Sequence, residues 1–229
     1  MPSILLIAAS RGLGLAMAAE FLEKGWHVVG TVRAGATRTK LHDLADSHAG
    51  RLEIETLDIR EQAGVEALRQ RLAKRRFQML FVNAGVATRE TATLVEAATE
   101  EFVRVMVTNA LCPMRVVESL QELVTADGLI GVMSSGQGSL TNNVAGMRDI
   151  YRSSKSALNQ LMRSYAARDP KSGRALVLMA PGWVRTDLGG PAAPLSLDDS
   201  VPNLVKVLLG KQGRPGLEYL DYQGRTVPW

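Results

Sequence analysis

The sequence is poor in the residues that build metal centres and disulfide frameworks. Its 229 residues include one cysteine, Cys112, and three histidines, His27, His42 and His48. A single cysteine excludes an intramolecular disulfide and a cysteine-based metal site. The histidines have no acidic partners at metal-ligand spacing; we expect His27 to open a strand and the other two to lie on a surface helix. The sequence therefore predicts no bound metal.

Long apolar runs and a targeting segment are also missing. No run approaches the roughly 20 apolar residues of a membrane-spanning helix. The opening Met1-Pro2-Ser3 carries no basic region ahead of the short apolar stretch Ile4 to Ala9, which is too short for a signal peptide. With 46% hydrophobic and 22% charged residues, the composition is typical of one folded domain, residues 1–229. We expect a cytoplasmic protein without a membrane partner.

Positive charge is modest, with a formal net charge of +4 and mostly dispersed basic residues. One cluster, made of Arg69, Arg71, Lys74, Arg75 and Arg76, lies at the end of a helical pattern. Cations interact favourably with the dipole at a helix C-terminus and face water there. The alternative is a nucleic-acid surface, which typically interleaves basic and aromatic side chains. The cluster lacks that interleaving, so we favour a solvated helix end and no nucleic-acid partner.

Short apolar runs alternate with helical patterns along the chain. The predicted strands are Ile4–Ala8, His27–Val32, Arg51–Leu57, Met79–Val82, Leu129–Met133 and Ala175–Met179. Predicted helices follow the first strand up to about Lys24, then cover Glu61–Lys74, Thr99–Val124 with an interruption at Pro113, and Tyr151–Arg168. Because parallel neighbours need crossover connections, this order predicts an α/β fold. Its form is a doubly wound parallel sheet in a three-layer, Rossmann-like single domain.

The turn after the first strand has the composition of a dinucleotide-binding loop. It consists of Ser10, Arg11, Gly12, Leu13 and Gly14. Its two glycines let the backbone approach a pyrophosphate, and the following helix N-terminus supplies amide donors. An ordinary tight turn would also use glycines, but the position inside a βαβ unit favours nucleotide binding.

The second strand indicates which dinucleotide is bound. An NAD site usually has an acidic residue about 20 positions after the glycine turn, where it binds the ribose 2′-hydroxyl. Here the strand ends in Arg33, and Arg11 lies in the turn itself. Two guanidiniums favour a 2′-phosphate through charge-assisted bonds. The sequence therefore favours NADP(H) as cofactor, with a solvated surface position as the alternative for Arg33.

A series of motifs over residues 4 to about 190 resembles the short-chain dehydrogenase/reductase family. After the glycine turn come Asp58-Ile59, Asn83-Ala84-Gly85, Asn109, Ser134-Ser135, Tyr151-x-x-x-Lys155 and Pro181-Gly182-x-x-x-Thr186. Within the family, the ending over residues 219–229 is similar to that of the compact carbonyl reductases called C-factor-like or sniffer-like.

The resemblance implies NADPH-dependent reduction of a small aldehyde or ketone by hydride transfer, in a homodimer or homotetramer. Tyr151 would be the proton donor, since a neighbouring ammonium such as that of Lys155 favours a phenolate. Lys155 would also hold the nicotinamide ribose, Ser135 would bind the substrate carbonyl, and Asn109 would hold backbone and a water. The resemblance places the other motif residues at the cofactor: Tyr151 itself, Asp58, Ile59, Asn83, Ala84, Gly85, Pro181, Gly182, Val184 and Thr186. Helix capping by Asp58 and a plain strand-end turn at Asn83 are the structural alternatives.

Two features depart from the family pattern. Ala8 occupies the position of the first glycine of the usual turn, and we expect its backbone to stay in the β region, where alanine is unstrained. The segment between Ser135 and Tyr151 is longer than in most members, so we expect it and Trp183–Leu195 to encode substrate identity. Ala8 also keeps open a second function, a signalling or regulatory protein that binds NADP(H) with little turnover.

Overall fold

Seven parallel strands form the centre of the molecule. The computed structural model describes residues 1–35, 38–88 and 94–229. The strands are β1 (Ser3–Ile7), β2 (His27–Val32), β3 (Leu52–Thr56), β4 (Phe77–Val82), β5 (Val124–Met133), β6 (Ala175–Ala180) and β7 (Gly216–Asp221). Their order across the sheet is β3-β2-β1-β4-β5-β6-β7. The predicted doubly wound parallel sheet is confirmed.

Helices cover both faces of the sheet. They are α1 (Gly12–Glu23), α2 (Lys40–Ser47), α3 (Gln62–Arg71), α4 (Thr99–Met106), α5 (Cys112–Leu120), α6 (Asp149–Arg168) and α7 (Leu197–Lys211). One core packs apolar side chains of α1, α2 and α7 against the sheet, among them Phe21, Leu41 and Leu204. The other core packs α3, α5 and α6, among them Leu68, Val117 and Leu158. This gives the three layers expected of a Rossmann-like fold.

The strand order reverses between β1 and β4. Ile7 pairs with Val82 at the end of this pair, while the other edge of β1 pairs with β2, where Leu6 lies beside Gly30. Chains leaving β1 and β4 therefore diverge to opposite faces and open a crevice beyond the strand ends, where ligands of such sheets bind.

The predicted long helix Thr99–Val124 is divided. Between α4 and α5, Val107–Leu111 forms one π-helical turn, and Pro113 lies at the start of α5. Proline has no N–H to donate to the carbonyl four residues earlier, which here is that of Asn109, and single π turns often mark functional sites. The π-helical turn thus precedes Pro113 and is centred on Asn109, a predicted site residue. Residue 124, predicted to end this helix, instead begins β5.

The sequence patterns did not predict α7 or β7. The beginning of α7 has a recognisable signal, a capping box in which the Ser196 hydroxyl accepts from the Asp199 amide at 3.1 Å and the Asp199 carboxylate accepts from the Ser196 amide at 2.7 Å. Pro202 lies inside this helix and obscures its pattern. None of the helices in the described ranges is long and apolar enough to cross a membrane.

The basic cluster spans the end of α3, as expected, with Arg69 and Arg71 in the last turn of the helix. Arg69 pairs with Glu66, Arg71 with Glu55, and Arg75 with Glu53. Neutralised in this way, these arginines form a solvated ion-pair layer beside β3.

Candidate active site

A cavity of about 670 Å³ lies at the carboxyl ends of the strands. It brings together nearly all the predicted site residues: Ser10, Arg11, Gly12, Leu13, Arg33, Asp58, Ile59, Asn83, Ala84, Gly85, Ser135, Tyr151, Lys155, Pro181, Gly182, Val184 and Thr186. Two predicted residues, Gly14 and Asn109, are buried behind its wall. Residues that follow the ends of β1 to β6 thus meet two residues of α6 in one place, as the topology requires.

The glycine turn packs tightly against Ala8 and Asn83. Arg11 is the N-cap residue of α1, and Gly12 has a φ of +53°. A Cβ atom on Gly14 would lie 2.2 Å from the Ala8 carbonyl oxygen and 2.7 Å from the Asn83 amide nitrogen. A side chain at residue 14 would therefore push the turn apart, and the α1 N-terminus offers free amide donors to an anion.

The expectation that Ala8 stays in the β region is wrong. Its φ is +66°, in the left-handed region that favours glycine. Two side chains hold this conformation: Thr31 Oγ1 accepts from the Ala8 amide at 2.9 Å, and Asn83 Nδ2 donates to the Ala8 carbonyl at 3.2 Å. The surrounding contacts therefore impose a backbone conformation that costs an alanine on the order of 1–3 kcal/mol.

Charged side chains line the end of the cavity near the glycine turn. Arg11 Nη1 lies 3.1 Å from the Asp187 carboxylate, and both side chains are exposed. The Asp58 carboxylate accepts hydrogen bonds from Nε and Nη2 of Arg60, and this contact, with a smaller contribution from the charge of Arg33, lowers the pKa of the Asp58 carboxyl. Arg60 lines the cavity and was not predicted.

Asn109 joins the strand-end loop after β4 to α6. Its Oδ1 accepts from the Val86 amide at 2.8 Å, and its Nδ2 donates to the Val86 carbonyl at 2.8 Å and to Ser154 Oγ at 3.0 Å. Ser154 Oγ in turn donates to the Tyr151 carbonyl at 2.7 Å. The π turn aims this buried amide inward, so Asn109 fixes the helix that carries Tyr151.

Tyr151 and Lys155 lie one turn apart on α6 and are both buried. Lys155 Nζ is 5.9 Å from the centroid of the Tyr151 ring and donates to the Met133 carbonyl at 2.9 Å. The Arg148 guanidinium is 5.1 Å from the same ring centroid. Burial lowers the pKa of Lys155 to about 8, so the ammonium predominates at neutral pH and places positive charge beside the phenol.

Ser135 caps the short 3₁₀ turn Gly136–Gly138. Its Oγ accepts from the Gln137 amide at 3.2 Å. A hydroxyl has one hydrogen and two lone pairs, so this bond uses an acceptor position and leaves the hydrogen to donate. Ser135 can therefore donate to a carbonyl oxygen placed between itself and Tyr151.

The C-terminal part of the chain contributes cavity residues that the sequence analysis did not assign, Asp221, Tyr222, Arg225 and Val227. The sequence of residues 219–229 is similar to that of the compact carbonyl reductases, but this similarity assigned no role to any of these residues. Within the described ranges, no group of three or more histidine, cysteine, aspartate or glutamate side chains could hold a metal ion.

One cavity contains a glycine turn at a helix N-terminus together with a buried tyrosine and lysine. This combination defines an oxidoreductase with a Rossmann-like fold. A family model described as enoyl-(acyl carrier protein) reductase matches residues 7–203. The chain belongs to the short-chain dehydrogenase/reductase family, which confirms the resemblance drawn from the motifs.

Individual relatives cover most or all of the chain. A short-chain dehydrogenase/reductase from Burkholderia multivorans with bound NADP is 62% identical, with a TM-score of 0.98 over 100% of this chain and 99% of that one. A carbonyl reductase from Pseudomonas aeruginosa PAO1 in complex with NADP is 33% identical, with a TM-score of 0.92 and full coverage of both chains. The C-signal protein of Myxococcus xanthus is 37% identical over 153 residues, which are 66% of this chain and 92% of that protein.

Proposed function

We propose that the protein is an NADPH-dependent reductase of small aldehydes or ketones. The observation that carries the proposal is the meeting of Ser135, Tyr151 and Lys155 in one cavity with the glycine turn. A hydroxyl donor, a phenol and a buried ammonium form a set suited to stabilising and protonating an alkoxide. The bound NADP of the two solved relatives supports the choice of cofactor.

The residues along the cavity fit NADP(H). The space that a Cβ on Gly14 would fill is already taken by Ala8 and Asn83, so the turn can be this tight only with glycine at residue 14. Arg11 and Arg33 would supply cations for the 2′-phosphate. Asp58 and Ile59 would hold the adenine side, Asn83, Ala84 and Gly85 the adenosine wall, and Pro181, Gly182, Val184 and Thr186 the nicotinamide end. When bound, NADPH supplies the hydride.

The chain's own residues handle the proton. Ser135 Oγ donates to the substrate carbonyl oxygen and fixes its position, and the Tyr151 hydroxyl gives its proton to that oxygen as negative charge develops. The Lys155 ammonium stabilises the resulting phenolate. Asn109 holds α6 against the loop after β4, because its side chain donates to both Val86 in the loop and Ser154 on the helix.

Replacement of Tyr151 by phenylalanine tests this proposal. General acid catalysis is worth about 100-fold or more, so Tyr151→Phe should lose about that much kcat in NADPH oxidation with aldehydes, quinones and diketones. The dissociation constant of NADPH should change little, because the hydroxyl acts chiefly in the transition state. Tyr165→Phe is the matched control, since its hydroxyl bonds Gln121 outside the cavity. Near-wild-type turnover by Tyr151→Phe would remove Tyr151 from the mechanism.

The likeness to C-signal favours one second candidate, a protein that binds NADP(H) for signalling or regulation with little turnover. This candidate predicts tight NADPH binding without reduction of the aldehydes, quinones and diketones tested. It also predicts that Tyr151→Phe leaves the signalling or regulatory effect of the protein unchanged. A competent Ser135, Tyr151 and Lys155 set argues for the enzyme, because pure binding needs no proton donor.

We also propose a homodimer or homotetramer in the cytoplasm. Helix α4 exposes Phe102 and Val103, with 38% and 50% of each residue accessible, and Leu111 follows at 38%. A second copy could cover these apolar side chains. Sedimentation equilibrium tests the assembly, and cell fractionation tests the location.

A further inference from the structure

The last strand, β7, carries a buried tyrosine that contacts the Ser135 loop, residues 135–141. Tyr219 of β7 pairs in register with Leu178 of β6 and is only 1% exposed. Its hydroxyl donates a hydrogen bond to the main-chain carbonyl of Ser135, across 84 residues of sequence. This bond fixes the peptide unit that joins Ser135 to the 3₁₀ turn Gly136–Gly138.

The environment of Tyr219 preserves its hydroxyl as a donor. Burial raises the pKa of Tyr219, so the phenol keeps its proton throughout the neutral range. Beside it, Ser134 Oγ donates to Asn159 Oδ1 at 2.6 Å, and Asn159 Nδ2 donates to the Gly138 carbonyl at 3.2 Å. Asn159 of α6 therefore bonds both ends of the segment 134–138, and Tyr219 of β7 bonds the Ser135 carbonyl between them.

Trp229 extends this support to the next residues of the loop. Its ring centroid is 5.6 Å from that of Tyr219, and the Arg163 guanidinium lies 4.8 Å from the indole. Its main-chain oxygen accepts from the Thr141 amide at 3.1 Å, from Thr141 Oγ1 at 2.9 Å and from Ser139 Oγ at 3.3 Å. The chain from β7 to Trp229 therefore contacts residues 135–141 at several points.

We propose that Tyr219 is a positioning residue, which sets the place of the Ser135 hydroxyl in the cavity through the Ser135 main chain. The inference rests on the proposed reductase function, because Ser135 matters only if it binds a carbonyl oxygen. A small displacement of a donor weakens transition-state stabilisation more than ground-state binding. Loss of the Tyr219 hydroxyl should then lower kcat and leave the distant adenosine site unaffected.

The test compares Tyr219→Phe with Tyr165→Phe, which also removes one phenolic hydrogen bond, the one to Gln121 at 2.8 Å. We expect Tyr219→Phe to lose about tenfold in kcat, the equivalent of one net hydrogen bond, with the NADPH dissociation constant within about twofold of wild type. Tyr165→Phe should keep both values. Equal kcat losses in the two variants would overturn the proposal, since they would reflect general loosening.

A double-mutant cycle tests whether the effect passes through Ser135. In a Ser135→Ala background, Tyr219→Phe should cause no further loss of kcat, because the hydroxyl that it positions is already gone. Additive losses would show that Tyr219 acts through another route and would refute the inference.

Hydrogen exchange gives a readout that does not depend on catalysis. Without cofactor or substrate, Tyr219→Phe should speed deuterium uptake in peptides covering residues 135–141 and leave the glycine turn at residues 8–14 unchanged. Unchanged exchange in 135–141 would overturn the positioning role. Deuterium uptake in 135–141 could rise in Tyr219→Phe while neither the wild type nor the variant reduces any carbonyl compound. In that case the reductase proposal fails, but Tyr219 still holds the Ser135 loop in place.

Discussion

Replacing Ala8 by glycine tests the strained turn that begins the cofactor site. An L-residue in the left-handed region costs roughly 1–2 kcal/mol, and the φ of +66° places Ala8 there. Glycine removes that cost but raises the entropy of the unfolded chain, which is worth about 0.4–1 kcal/mol in the opposite direction. The difference between these ranges is about 0–1.6 kcal/mol, so Ala8→Gly should stabilise the protein by about 0.8 kcal/mol at their midpoints, a rise in Tm of about 2–3 °C at this length.

The matched control is Ala9→Gly. Ala9 is fully buried and is not among the residues with positive φ. Its replacement loses a buried methyl group and gains only unfolded-state entropy, so it should destabilise by about 1–2 kcal/mol. Thermal unfolding monitored by circular dichroism, without cofactor, measures both variants. If Ala8→Gly lowers Tm as Ala9→Gly does, the assignment of strain to Ala8 is refuted.

NADPH binding by the same variant addresses the choice between enzyme and regulator. Thr31 and Asn83 already hold the turn in its final shape, so Ala8→Gly should change the dissociation constant by less than about tenfold, or 1.4 kcal/mol. A much larger gain in affinity, with reductase activity appearing only in the glycine variant, would favour the regulatory candidate.

Three further predictions concern the cavity. Gly14→Ala should weaken NADPH binding in titration calorimetry by at least about tenfold, because its Cβ would lie 2.2 Å from the Ala8 oxygen; unchanged affinity would refute the tight-turn argument. Arg33→Asp should weaken NADPH binding by several kcal/mol relative to NADH, with about 1.5–3 from the charged bond alone, and an unchanged ratio would place Arg33 in solvent. Burial lowers the pKa of Lys155 to about 8 in the folded protein, whereas its pKa in the unfolded chain is near about 10.4. Between about pH 8 and pH 10.4 the unfolded chain therefore binds more protons than the folded protein. The stability of the cofactor-free wild type relative to Lys155→Met should therefore rise by about 2 kcal/mol from pH 7 to 10 in denaturant unfolding, and a fall would contradict the lowered pKa.

Local patterns in the sequence determined most of the architecture. Alternating strand and helix runs were enough to predict six of the strands, because a parallel sheet buries both faces and makes its strands continuously apolar. The spacing of Tyr151 and Lys155 put them on one helix face, and the glycine turn followed from its position after the first strand. Such features depend on neighbouring residues in the chain, so pattern reasoning reaches them.

Long-range contacts decided the rest. The conformation of Ala8 depends on Thr31 and Asn83, which lie 23 and 75 residues away, and the Ser135 loop is braced by Tyr219 from a strand that the sequence analysis missed. Propensity alone places an alanine in the β or α region, because it counts only the alanine's own steric cost. Once folding has fixed the hydrogen-bond partners around the turn, their combined contribution exceeds that cost, and only the tertiary structure contains those partners.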